Sequence, residues 1–241
     1  MSSTDLALRP AHWLLLAVLF VLALAPRLYS AQTIGWHWDS PDSFTLINFD
    51  EAGSCRAALE GFDYTPFIGR QTIAISEILG NKVPAGTVGD YGKVRAYCHG
   101  PEHLLVARTF SAVLGAATVV LLGLMGWLLL PEQPRVGLTG AALLALSGFH
   151  ISESHSGTVD APSVFFIYLF LLVLMLAIAR GWRGLVAASP LLLVPAIWTK
   201  YWLFAVFAYA SVIPRRAWDY AATGFDAPRL VILVLALCVL F

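Results

Sequence analysis

The chain has 241 residues, 59% of them hydrophobic and only 12% charged, with a formal net charge of zero. A soluble domain carries roughly 25% charged residues, so this composition excludes an ordinary soluble fold. The net charge says little about partners, but the sequence has no basic stripe of the kind a nucleic-acid partner needs.

The apolar residues fall in blocks, and a block of about 20 crosses a bilayer as a helix. The first covers residues 12–28. No small-residue cleavage site follows Pro26 and Arg27, so it reads as a retained membrane helix rather than a signal peptide. A long polar segment, residues 29–103, comes next. Asp39 to Asp42 predict a turn there, and residues 49–62 predict a short helix with Ala52, Ala57, Ala58 and Leu59 on a small-residue face. Residues 64–79 predict a second amphipathic helix, with Phe67, Ile68, Ile75, Ile78 and Leu79 on a membrane surface. Residues 80–100, rich in Gly and short polar side chains, predict irregular chain. Cys55 and Cys98 both fall in this segment and read either as a disulfide or as two unrelated thiols.

Further apolar blocks follow at 104–130, 136–151, 162–179, 184–198, 201–213 and 230–241. The fifth block of the chain, 184–198, contains Pro190 and Pro195, so a bend is expected there. Inside lipid every backbone polar group needs an internal partner, which leaves helices as the reading of such blocks. The expected fold is an all-α polytopic membrane protein of about seven transmembrane helices. Residues 1–241 form one membrane domain, and residues 29–103 form its first outer loop.

Charge sets the expected orientation. With the N-terminus inside, the inner connections hold Arg9, Arg135, Arg180, Arg183, Arg215, Arg216 and Arg229, while the short outer ones hold only Lys200. That asymmetry is the positive-inside pattern. It places the N-terminus in the cytoplasm and the long loop outside a plasma or inner membrane.

On this count, Asp50, Glu51, Asp160 and Lys200 all reach the outer face. Ionisable groups at membrane level face a protein interior or a wet cavity and often mark function. Each also has a structural reading. Asp50 and Asp160 are suited to capping the helices that follow them, and Lys200 to reaching the headgroups. Arg56 and Arg108 join the same face; a guanidinium fork matches phosphate oxygens, and Arg108 also suits an interfacial anchor. His150, Glu153 and His155 form a second cluster whose residue types suit a divalent metal or simple hydrogen bonds to neighbours.

Four stretches, in order, resemble the polytopic C-type glycosyltransferases, in particular the protein O-mannosyltransferase and aminoarabinose-transferase relatives. NFDEAGSCRAAL resembles their first outer loop, with an Asp-Glu pair soon after the first helix. EHLLVARTFSAVLGAATVVLLG is similar to their second helix, SESHSGTVDAPSVFFIYLFLLVL to their third-to-fourth connection, and PAIWTKYWLF to their Thr-Lys-Tyr segment. The resemblance runs from about Leu14 to Val212. Family members are longer and often carry a C-terminal outer domain, so a truncated or minimal chain is expected.

The resemblance implies transfer of a sugar, with inversion, from a polyprenyl-phosphate donor to a protein, lipid or glycan acceptor on the outer face. It makes Asp50 the base, with Glu51 and Asp160 positioning acceptor or sugar. Lys200, Arg108 and Arg56 would bind the donor phosphate. No cofactor is required, and a divalent metal is the one candidate. The rival readings are a transporter or flippase of a lipid-linked sugar, and a non-catalytic accessory subunit. The matched Gly/Pro breaks and repeated halves expected of a transporter are not seen in the sequence.

Overall fold

The computed structural model describes residues 9–36, 44–61, 65–188, 191 and 193–199. Among these, only helices and one isolated antiparallel bridge, Trp36 with Phe44, form regular structure. Helix α1 (Pro10–Thr33) opens the bundle, and its proline at the first position leaves no backbone donor unmet there. A 3-10 turn (Phe49–Ala52) runs into α2 (Gly53–Glu60), which Gly61 ends in a left-handed conformation at φ 69°. The loop continues with α3 (Pro66–Ile78) and α4 (Tyr91–His99). The bundle resumes with α5 (Pro101–Leu129), α6 (Pro134–Leu146), α7 (Gly148–His155) and α8 (Asp160–Ala179). Two short pieces follow, α9 (Arg183–Ala188) and α10 (Leu193–Thr199).

Three of these helices, α1, α5 and α8, are long and apolar enough to cross a membrane. The pair α6 and α7, bent by 60° at Ser147, makes a fourth if it is one broken span. Of the about seven expected spans, the described residues therefore show three or four. The fifth expected span, 184–198, is divided between α9 and α10, neither of them long enough to cross. The blocks at 201–213 and 230–241 lie outside the described residues, as does the turn at Asp39 to Asp42.

Helix α5 is the central post, packed against α1, α6, α7 and α8. Its Ala112, Ala116 and Val119 are fully buried, and so are Ala23 of α1 and Ala141 of α6. Small residues let backbones approach, and van der Waals contact then holds helices together where lipid removes the hydrophobic drive. Helices α5 and α6 approach closely at Gly137, where an added Cβ would lie 2.5 Å from the Gly123 carbonyl oxygen and 2.9 Å from the Trp127 nitrogen.

The loop helices are fastened in three ways. Cys55 and Cys98 form a disulfide with Cα atoms 5.8 Å apart, closing 43 residues. In the chain-entropy approximation a loop of that length restricts the unfolded chain by about 4 kcal/mol. Gly69 of α3 lies against α2, where an added Cβ would fall 1.9 Å from the Ser54 carbonyl oxygen, and its N–H donates to Ser54 Oγ at 2.7 Å. The ring of Phe67 meets Phe166 of α8 and Trp198 of α10 edge-on, at 6.0 and 6.1 Å.

Two expectations for the loop change accordingly. Phe67 and Ile68 pack against protein, with Ile68 only 2% exposed, whereas Ile78 and Leu79 remain exposed. Residues 91–99, expected to be irregular, form α4: Asp90 accepts from the Lys93 N–H, and Val94, Tyr97 and Cys98 turn one buried face toward α2. Burial and the Arg95 and Arg56 guanidiniums hold the His99 imidazole below its ordinary value, so it is neutral at neutral pH.

Two measurements check this packing. Gly137→Val should destabilise the detergent-solubilised protein by about 1–3 kcal/mol through overpacking. Gly140→Val, whose added Cβ meets nothing closer than Leu122 Cδ2 at 4.0 Å, should shift stability by no more than about 0.5 kcal/mol; equal losses would contradict the α5–α6 contact. Alkylation of the unreduced, denatured chain should label at most one of its three cysteines, and prior reduction should expose the other two.

Candidate functional site

At the end of the bundle that carries the loop helices, Arg108 and Glu51 form an ion pair with both side chains 0% exposed. Arg108 stands on α5 and Glu51 in the 3-10 turn, 57 residues apart in sequence. Arg108 Nε donates to Glu51 Oε1 at 2.7 Å and its NH2 to Oε2 at 2.8 Å, the two-pronged geometry that makes Arg–carboxylate pairs strong. The third nitrogen, NH1, donates to the carbonyl of Ile34 just past α1, and the guanidinium lies 4.9 Å over the Phe44 ring. Glu51 accepts two more bonds, from the N–H groups of Ile47 and Gly157, each at 3.1 Å.

Glycine is required at one of these joints and fits closely at another. Gly35 has φ 102°, and an added Cβ would fall 2.7 Å from the Thr45 carbonyl oxygen and 3.2 Å from Arg108 NH1. At Gly157 an added Cβ would press Ala107 Cβ at 3.1 Å. The α7–α8 connection thus packs tightly on α5 where the Gly157 N–H reaches Glu51.

The two adjacent acids are thus in different situations. With four N–H donors on its two oxygens, Glu51 has little capacity left for a substrate. Asp50 is half-buried, and its carboxylate has no partner among the described residues. Its capping role is corrected: Asn48 caps the 3-10 turn by accepting from the Asp50 N–H at 2.9 Å. Asp160 does not cap α8 either, because the position before the helix is Val159 and no side chain caps it. Asp160 lies in the first turn of α8, half-buried, where the positive end of the helix dipole favours a carboxylate.

The expected phosphate ligands separate. Arg108 is taken up by Glu51. Arg56 pairs with Glu60 at 3.3 Å and stands 5.2 Å over the Tyr91 ring. Lys200 lies outside the described residues.

The metal reading of His150, Glu153 and His155 is corrected: no group of three metal-ligating side chains occurs among the described residues. His150 Nδ1 takes a hydrogen bond from Arg27 NH2 at 2.7 Å, so a cation already occupies that side of the ring. His155, five residues further along the helix, points elsewhere and contacts Ser30 Oγ through Nδ1 at 3.2 Å.

Arg27 is the functional-looking residue that the site reading of the sequence omitted. It is fully buried in α1 and has no carboxylate partner among the described residues. It donates to the carbonyls of Ala23 at 2.6 Å and Ala145 at 3.3 Å, besides His150. Ala145 sits at the end of α6, where the bend at Ser147 interrupts the helical hydrogen bonds. Arg27 thus satisfies a carbonyl that the broken helix frees. An arginine inside an apolar block was the available signal.

Comparison of the chain with family models, curated proteins and solved structures returned no match.

Removing one partner of a buried ion pair strands the other charge. Glu51→Leu and Arg108→Met should each lower stability by about 3–5 kcal/mol. The double variant should lose clearly less than the sum, as measured by chemical unfolding in detergent. Additive losses would show that the two side chains do not depend on each other.

Proposed function

We propose that this chain is a module of a polytopic glycosyltransferase that moves a sugar from a polyprenyl-phosphate donor to an acceptor. The reading combines the four-stretch resemblance with one observation: Glu51 and Arg108 seal each other, which leaves Asp50 half-buried, held by its neighbour, with its carboxylate unengaged among the described residues. A carboxylate anchored through the adjacent backbone suits the general base that takes the proton of an acceptor hydroxyl. In this reading Asp160 positions sugar or acceptor, and Lys200 supplies positive charge for the donor phosphate. The base, the acceptor and the leaving phosphate belong to one outer-face site, with the N-terminus in the cytoplasm and the later apolar blocks adding further spans. The leaving group is already a phosphate, so the step needs positive charge and N–H donors more than an acid.

Asp50→Asn keeps shape and hydrogen bonding but loses the proton acceptor. Positioned proton transfer contributes about 100- to 10,000-fold, so sugar transfer from a labelled polyprenyl-phosphate donor should fall on that scale while donor binding holds. Lys200→Ala should weaken donor binding first. Unchanged turnover by Asp50→Asn would remove Asp50 from the base role. Donor binding with no transfer by wild type to any acceptor would favour a carrier or accessory protein instead.

A further inference from the structure

We propose that α3 stands upright in the bilayer leaflet on the loop side, with the open face of its first two turns against lipid and Arg70 at the headgroup phosphates. This requires only that α1, α5 and α8 cross a bilayer, and it does not depend on sugar transfer.

Two contacts fix the tilt of α3. Near its end, Ser76 Oγ meets His103 Nδ1, in the first turn of α5, at 3.3 Å. Near its start, the Phe67 ring lies 6.0 Å from the Phe166 ring of α8. These anchors stand at different levels of the bundle. Helices α5 and α8 run side by side in the same direction: Ser111 Oγ donates to the Thr158 carbonyl at 3.1 Å, and Met125 and Leu128 share a core with Leu174 and Met175. Ser111 lies about 12 Å further along α5 than His103, and Phe166 about 9 Å further along α8 than its first residue. The two anchor levels are thus about 20 Å apart, whereas α3 has only about 14 Å between Phe67 and Ser76. A helix lying flat across the end of the bundle could not reach both, so α3 runs along it.

The 20 residues of α8 make about 30 Å, the thickness of the hydrocarbon layer. With Asp160 at one boundary, Phe166 and the Phe67 ring beside it lie inside that layer. Ile78, about 16 Å further along α3 than Phe67, stands beyond it, so Ile78 and Leu79 project away from the membrane surface. The sequence suits such an entry. Pro66, at the first helical position, has no N–H to lose, and the Gly69 N–H is met by Ser54 Oγ at 2.7 Å. Ile68, Thr72 and Ser76 are buried on one side of α3, while Arg70, Gln71 and Ala74 are exposed on the other. The half-buried Phe67 continues the surface of Trp198, which is 6.1 Å away and 60% exposed on α10. Aromatic rings gather near the edge of a bilayer. Arg70, in the turn nearer the boundary, has no hydrogen bond or ion pair among the described residues. Its stem is long enough to carry the guanidinium to the headgroups, where it matches phosphate oxygens.

Gln71 and Ile78 lie on the same side of α3 but about 10 Å apart along it, so they distinguish an upright helix from a flat one. Nitroxides are attached at Gln71→Cys, Ala74→Cys and Ile78→Cys, one at a time, in the full chain carrying Cys238→Ser. In vesicles of phosphatidylcholine and phosphatidylglycerol, power-saturation EPR compares collisions with oxygen and with a water-soluble nickel chelate. Oxygen should dominate at 71 and nickel at 78, with 74 between them. Equal ratios at 71 and 78 would overturn the upright helix. Low collision with both reagents at 71 would show that protein covers this face, either the chain beyond Thr199 or a second copy, and would overturn the lipid assignment. If the label at 71 unfolds the chain, Arg70→Cys carries it at nearly the same level. For the headgroup contact, bimane at Ala74→Cys is quenched by headgroup-spin-labelled lipids. Phosphatidylglycerol should quench at roughly fivefold lower concentration than phosphatidylcholine, and Arg70→Gln should remove that preference. No preference in the chain that keeps Arg70 would overturn its headgroup role.

Discussion

Burying Glu51 and Arg108 together costs each its hydration, and the pair is stable only because each guanidinium nitrogen and both carboxylate oxygens have partners. Arg108 gives three of its nitrogens to protein oxygens, and Glu51 receives four N–H groups. The partners come from the chain just after α1, the 3-10 turn and the segment before it, α5, and the α7–α8 connection. Four separate stretches therefore meet on one ion pair. Removing it would release the loop from the bundle at the place where Asp50 is positioned.

A second buried guanidinium solves a different problem by different means. Arg27 faces carbonyl oxygens and an imidazole rather than a carboxylate. Its charge compensates a helix broken at Ser147, where α6 ends and α7 turns away by 60°. The bend carries His155 and the α7–α8 connection back toward the loop helices. The Arg108 pair and the Arg27 lock thus act in series: Arg27 braces the bent helix, and Glu51 captures the connection that follows it through Gly157.

This arrangement decides which groups remain for chemistry. Glu51 and Arg108 are architectural in their bonding, although the resemblance gives both a substrate role. Asp50, beside Glu51, is half-buried with no partner for its carboxylate among the described residues. The disulfide Cys55–Cys98 and the Gly69–Ser54 contact keep the loop helices compact behind it. Asp50 is held through the backbone of its neighbour, so its carboxylate need not take part in the scaffold.

The sequence by itself determined the first four apolar helices to within a few residues. Hydrophobic block length is a local property, and α1, α5, the α6–α7 pair and α8 follow the blocks at 12–28, 104–130, 136–151 and 162–179. It also marked the helical stretches around 53–60 and 66–78, and the Asp50–Glu51 pair as unusual. Helix α4 was hidden because its stretch is glycine-containing and polar, and its buried face gains a partner only when Cys98 meets Cys55. The division of labour between Asp50 and Glu51 was equally invisible. Both are acids one residue apart, and only the arrival of Arg108 from 57 residues away, with Gly157 from 106, decides which is sealed. Pairings of that range depend on how the helices stack, and no local pattern of hydrophobicity or charge encodes them.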